Sequence, residues 1–250
     1  MRAVLGETFR LLVTHLHLFT LISLTVWLPT HVLLNYLEFF DPGEDAGRAL
    51  RIVLTAQVVL DPFVVSALLT ALARIKRGLP VGYRQALAEG FKAWPRLMLV
   101  RFVLIWVLLL PSLGWLAIYQ AGPALRLLGG LALIGATVLI LALLVRFALV
   151  DSVVVLGGAS PFSAWRRAAE VTAGQRWSIL WTTAALFALV LGVAVAAGQA
   201  FRTVPGANHF VARVLFDCIL AVSQSLFTIA LFLFYWRKQG IPAPAQPAVT

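Results

Sequence analysis

The chain has 250 residues, 61% hydrophobic and 12% charged, with a formal net charge of +10 and a mean hydropathy of +0.94. Soluble domains are nearer half apolar and a quarter charged, so this composition excludes an ordinary water-soluble enzyme or binding module. The positive charge is not a nucleic-acid signal, because basic residues beside apolar spans are what anionic inner-leaflet headgroups attract, at about 1 kcal/mol each.

A bilayer core about 30 Å thick needs roughly 20 apolar residues per helix. In chain order the first such stretch is 11–34, behind Arg2 and Arg10. It is longer than a signal-peptide core and no small-residue cleavage site follows, so it reads as a retained helix. An acidic loop with Glu38, Asp41, Glu44 and Asp45 comes next. The second span, 51–73, carries Asp61 at its middle, followed by Pro62, which lacks a backbone donor and can kink a helix.

The connector 80–96 reads PVGYRQALAEGFKAWPR, with a stripe of Tyr83, Leu87, Phe91 and Trp94 interrupted by Gly90. The third span is expected at 97–120 and the fourth at 127–150, made slim by Gly129, Gly130, Gly135 and Ala136. Arg146 and Asp151 lie near its inner end, close enough to pair or to leave Arg146 for a lipid phosphate. The second long connector, 161–177, reads PFSAWRRAAEVTAGQRW. Ser160 is a suitable N-cap and Pro161 a suitable first helical residue. Phe162, Trp165, Ala168, Ala169 and Thr172 then recur at helical spacing, opposite Arg166, Arg167 and Glu170. Basic amphipathic helices with aromatic faces lie in the headgroup plane; packing on the cytoplasmic end of the bundle is the alternative.

The fifth span, 179–200, has Ala184, Ala188, Gly192 and Ala196 at four-residue spacing, which allows close helix approach. This places spans four and five at the bundle centre, or at a homodimer seam. The sixth, 210–236, holds Asp217, with Arg213 one turn earlier as an expected i, i+4 partner. An offset of 81 aligns Pro80 with Pro161, Ala88 with Ala169 and Glu89 with Glu170, a weak parallel repeat of span, surface helix, span.

With the N-terminus inside, fifteen Lys and Arg fall on inner segments and five (Arg48, Arg51, Arg126, Arg202 and Arg213) on outer ones. The positive-inside rule then puts both termini in the cytoplasm of an inner-membrane protein. The expected class is all-α and polytopic: six transmembrane helices and two cytoplasmic amphipathic helices at about 81–95 and 161–176. One integral membrane domain covers 1–238, and a disordered tail rich in Pro and Ala covers 239–250.

The run from Arg146 to Leu180 resembles the signature of the glycerophosphodiester phosphodiesterase membrane-domain family and its stand-alone six-span bacterial relatives of unknown function. Arg146, Gly157, Pro161, Ala164, Arg166, Arg167, Thr172, Gly174 and Trp177 match in kind, and Asp61-Pro62 to Gly78 looks like the family's second span. The acidic residue that the family often carries before the amphipathic helix is Gly157 or Gly158 here, and the small polar residue after the Arg pair is Ala168. The resemblance implies the layout and no enzyme, since the catalytic phosphodiesterase domain is a separate soluble module.

Candidate chemistry is sparse. Charges inside spans are expensive and mark function, so Asp61, Asp217 and Arg213 are the intramembrane candidates. They bind a cation or relay protons, or they pair with Arg, Thr or Gln and fix helix register. Arg146, Arg166, Arg167 and Arg176 are the candidate headgroup-binding set. No catalytic residues, metal ligands or cofactor are expected. His15 and His17 are two apart and point to different sides of a helix, His31 and His209 lack a further ligand, and the single Cys218 lies inside a span. The leading expectation is a non-enzymatic protein that interacts with anionic lipid headgroups or organises a membrane-protein partner, with a homo-oligomer among the arrangements. A small transporter or export factor using Asp61 and Asp217 is the second. A lipid-modifying enzyme at the rim near Arg146 and Asp151 is the third.

Overall fold

A computed structural model describes the backbone at residues 2–40, 46–120, 123–203 and 209–240, and side chains at 2–40, 51–106, 130–131, 133–201, 203 and 209–240. Ten α-helices and one π-helical turn make up the described chain: α1 Arg2–Thr14, α2 Leu16–Phe40, α3 Ala46–Thr55, the π turn Ala56–Leu60, α4 Asp61–Lys76, α5 Tyr83–Gln120, α6 Pro123–Arg146, α7 Val150–Gly157, α8 Pro161–Thr172, α9 Arg176–Thr203 and α10 Phe210–Lys238. The fold is all-helical. Among the described residues five stretches are long and apolar enough to cross a membrane: Leu16–Phe40, Arg51–Lys76, Leu133–Gly157, Arg176–Phe201 and Phe210–Lys238. The remaining expected span, 97–120, is helical throughout. The acidic loop residues Asp41, Glu44 and Asp45, and the tail from residue 241, lie outside the described residues.

The core is built by α2, α4, α7 and α10 with the first half of α5. Phe19 and Ile22, Leu68, Leu69 and Leu72, Leu97, Leu149 and Val153, and Ile229, Phe232 and Leu233 are all fully enclosed. Burying each such side chain is worth about 1.5–3 kcal/mol against water; between helices in lipid the gain is instead one of close packing. A buried Ser23–Ser225 hydroxyl pair, 3.1 Å, ties α2 to α10.

Three expectations change. First, the segment 83–95 is not a separate surface helix. It is the start of α5, which runs unbroken through Pro95 for 38 residues, about 57 Å at 1.5 Å per residue, and it packs antiparallel on α4. Gly90 causes this. A Cβ there would stand 2.7 Å from the Ala67 Cα and N, so the missing side chain lets the two backbones meet. Ser66 Oγ donates across the seam to the Gly90 carbonyl at 2.9 Å, and Thr70 Oγ1 to that of Ala86 at 3.4 Å. The second connector does break into a separate helix, because Gly174 after α8 turns at φ +84°, a region that glycine enters freely. The two repeat segments therefore differ in structure.

Second, the small-residue spans are peripheral. Ala184, Ala188, Gly192 and Ala196 are exposed on α9, among the described residues no heavy atom of a neighbour lies within 4 Å of a Cβ built at Gly135 or Gly192, and Leu131, Ile134 and Val138 of α6 are exposed. The central helices are α4 and α10, whose close approaches use scattered Ala, Ser and Thr. Third, Pro62 does not sit in a plain kink. The preceding turn widens to the π form at 56–60, and the loosened ladder leaves the Val59 carbonyl to accept Trp94 Nε1–H at 2.6 Å. Freed backbone groups of this kind must find partners where water is absent.

Candidate functional site

Among the described residues, charged side chains gather at four places that bear on function, besides an Arg74–Glu89 pair at 3.0 Å between α4 and α5. At the end holding the α4–α5 and α7–α8 turns, α8 begins with Ser160 in an extended conformation, its Oγ accepting from the Ser163 N–H. Ala164, Ala168 and Thr172 face inward, and the half-buried Trp165 meets Phe147 edge-on at 4.8 Å between centroids. That leaves Arg166, Arg167 and Glu170 outward as expected. Phe162, which belongs to the apolar stripe, is instead 94% exposed, and Trp177 is 73% exposed beside Arg176. Arg146 is exposed with its guanidinium 5.6 Å from the Phe147 ring centroid. Arg166 is 3.9 Å from Glu170 along the exposed face, a pair worth a few tenths of a kcal/mol at most.

Gly158 turns at φ +61°, so the acidic residue that the resembling family places before this helix would be strained there. Its neighbour Gly157 faces the Tyr235 hydroxyl, 3.3 Å from a built Cβ. Of the two arrangements open to Arg146, the pair with Asp151 is not formed. Asp151 is held by Arg101 instead, because α7 starts a new helical direction after the turn at 147–149 and packs against α5 and α4.

The second place is this Arg101 cluster. Arg101 Nε and Nη2 reach Asp151 Oδ1 at 3.2 Å and Oδ2 at 2.5 Å, the bidentate fork that suits guanidinium and carboxylate. Its Nη1 donates to Asp61 Oδ2 at 2.8 Å. Three helices thus meet through charge, and each side chain is a quarter or less exposed. Asp61 is one of the expected intramembrane groups; the residue that sequence reasoning missed is Arg101, which joins it to Asp151. The signal was present, since Arg101 falls five positions into the apolar stretch 97–120.

The third place holds Asp217 and Arg213, and here the expected i, i+4 pair is replaced. Arg213 Nη1 donates to Glu38 with its guanidinium 5.5 Å from the Phe39 ring centroid. Asp217 Oδ2 accepts from Asn35 Nδ2 at 2.8 Å and lies 4.0 Å from His31 Nδ1. Cross-helix partners on α2 win because an i, i+4 pair on one helix gains only about 0.3–0.5 kcal/mol. Asn35, Glu38, Arg213, Asp217, Leu34, Gly198, Phe201 and Phe216 surround a cleft of about 630 Å³ between α2, α9 and α10. Asp61 and Asp217 belong to separate clusters.

The fourth place is a clamp at the N-terminus. The Glu7 carboxylate of α1 accepts from Lys76 at the end of α4 and from Arg237 Nη2 of α10 at 2.6 Å. Burial raises the Glu7 carboxyl, but the two cations outweigh it and hold it below the usual glutamate range. Val4, Thr8 and Leu11 seat α1 beneath this clamp.

Among the described residues no group of three His, Cys, Asp or Glu side chains is placed to hold a metal ion. No protein-family model, characterised protein or solved structure matches the chain. The family resemblance rests on the residues of 146–180 and 61–78 alone.

Proposed function

We propose that the chain is a six-span inner-membrane protein with both termini cytoplasmic, non-enzymatic, whose α8 end engages anionic lipid headgroups. This is the layout that the run 146–180 resembles. The observation that carries the reading is the exposure of Phe162 and Trp177 next to the exposed Arg166, Arg167 and Arg176. Large aromatic side chains left outside the core beside several cations fit the headgroup boundary, where aromatic rings anchor and Arg meets phosphate. Three Arg near an anionic surface supply about 3 kcal/mol at roughly 1 kcal/mol each. Inserting Phe162 adds about 2 kcal/mol by area.

The test is lipid mass spectrometry on protein extracted gently from its native membrane, compared with the bulk lipid. One anionic lipid class should be enriched, and Arg166→Gln with Arg167→Gln should abolish the enrichment. A retained pool matching the bulk refutes the reading.

A second reading has its own observation. Asp217 faces the 630 Å³ cleft with Asn35, Glu38 and Arg213, half of what a small transporter built on Asp61 and Asp217 requires. It expects Asp217→Asn to abolish uptake or export of a solute at unchanged membrane level of the protein; unchanged flux removes it.

A further inference from the structure

The Arg101 cluster carries one cation and two carboxylates. Asp151 has both oxygens held by Arg101, whereas Asp61 receives a single bond through Oδ2. Among the described residues no other charged side chain forms an ion pair with any of the three. With every group ionised the cluster carries one uncompensated negative charge. Its position makes that charge costly: Asp61 lies at least ten residues from either end of the apolar stretch Arg51–Lys76, and Asp151 lies inside Leu133–Gly157.

Charged groups within a bilayer persist when paired, and two carboxylates that share one site do not both stay ionised in low dielectric. We infer that the cluster binds one proton at neutral pH, shared between Asp61 and Asp151, and is a protonation site linking α4, α5 and α7.

The pair takes up that proton as a unit, and its location decides which helix Arg101 holds. On Asp61, it leaves Arg101 in its bidentate pair with Asp151, so α5 and α7 are joined by charge and α4 by a neutral hydrogen bond. On Asp151, the strong link passes to α4. The π turn immediately before Asp61 gives that carboxylate a segment of backbone already out of the regular ladder, a form frequent where helices adjust at functional sites. This inference is independent of the lipid-headgroup reading and stands if that one fails.

The experiment is infrared spectroscopy of the full-length protein in lipid nanodiscs, with aspartate side-chain carboxyls labelled with ¹³C. At neutral pH the unmutated protein should show the carbonyl band of a protonated carboxyl that moves with the label. Asp61→Asn and Asp151→Asn should each remove it, because either leaves one carboxylate for one guanidinium. Asp217→Asn, which touches none of the three groups, should leave it in place even if the cluster variants fold poorly. Absence of a label-sensitive band in the unmutated protein, its survival in either cluster variant, or its loss in Asp217→Asn overturns the inference.

Discussion

Replacing Gly90 with Ala places a methyl carbon 2.7 Å from the backbone of Ala67 and 2.9 Å from its side chain. Ordinary contact begins near 3.4 Å, so α4 and α5 must separate by about 0.7 Å along this line. The 2.9 Å bond from Ser66 to the Gly90 carbonyl then lengthens to about 3.6 Å, which is no longer a hydrogen bond. Interhelical bonds of this kind in membrane proteins average about 0.6 kcal/mol. The loss stays near that value because Ser66 Oγ keeps the Phe63 carbonyl at 2.8 Å. Overpacking a tight contact costs about 1–3 kcal/mol. Against both stands the better helix propensity of Ala, roughly 1 kcal/mol. The net expectation is a destabilisation of about 0.6–2.6 kcal/mol. Gly135→Ala is the control: its Cβ meets nothing within 4 Å, so only the propensity gain remains. Reversible unfolding of both variants in mixed micelles, by titration with a denaturing detergent, measures the difference. A Gly90→Ala protein as stable as the parent, or stabilised like Gly135→Ala, refutes the close-contact argument.

The remaining predictions concern the α1 clamp and the α8 end. Because Glu7 is held below its ordinary range by Lys76 and Arg237, the clamp's contribution is present above the unfolded glutamate value and is lost as pH falls through the lowered native one. Proteolysis of the α1 segment should therefore accelerate on acidification in the parent. In Glu7→Gln it should already be fast at neutral pH and nearly flat in pH; a steep acid limb in that variant would contradict the assignment. Ser160→Ala removes the α8 cap and should cost about 1 kcal/mol, read as faster amide exchange over the first turn of α8, with unchanged exchange in α10. Phe162→Ser should lower binding of the protein's α8 end to anionic bicelles several-fold while leaving detergent stability within about 0.5 kcal/mol, since this side chain touches no core and surface changes are small.

Length and apolarity made the spans legible, because a run of twenty apolar residues admits one economical conformation in lipid. The α8 helix was legible down to its cap, since Ser160 and Pro161 act within one turn of themselves. What sequence order conceals is choice of partner. Arg213 has Asp217 four residues ahead and turns to Glu38 instead; Asp151 has Arg146 nearby and binds Arg101. These choices depend on which helices face each other, and that is set by the whole core. Small residues show the same limit. Ala184, Ala188, Gly192 and Ala196 form a regular stripe, yet α9 presents it outward, whereas Gly90, which interrupts an apolar stripe, makes the closest approach of any described glycine. Periodicity reports that a face is narrow and does not report what lies against it.

The unbroken course of α5 has a mechanical consequence. From Gly90 to Gln120 the helix extends thirty residues, about 45 Å at 1.5 Å per residue, while the arm from Gly90 back to Tyr83 is only about 10 Å by the same measure. With its fulcrum where Gly90 meets Ala67, the helix is a lever of unequal arms. A tilt of about 5° moves the Tyr83 end by less than about 1 Å and the Gln120 end by about 4 Å. Tyr83 is tethered to α2 through the Thr25 hydroxyl at 2.7 Å, and α6 packs along α5. A displacement at the short arm too small to disturb the core is therefore returned on the opposite side of the bundle as a shift the size of a side chain.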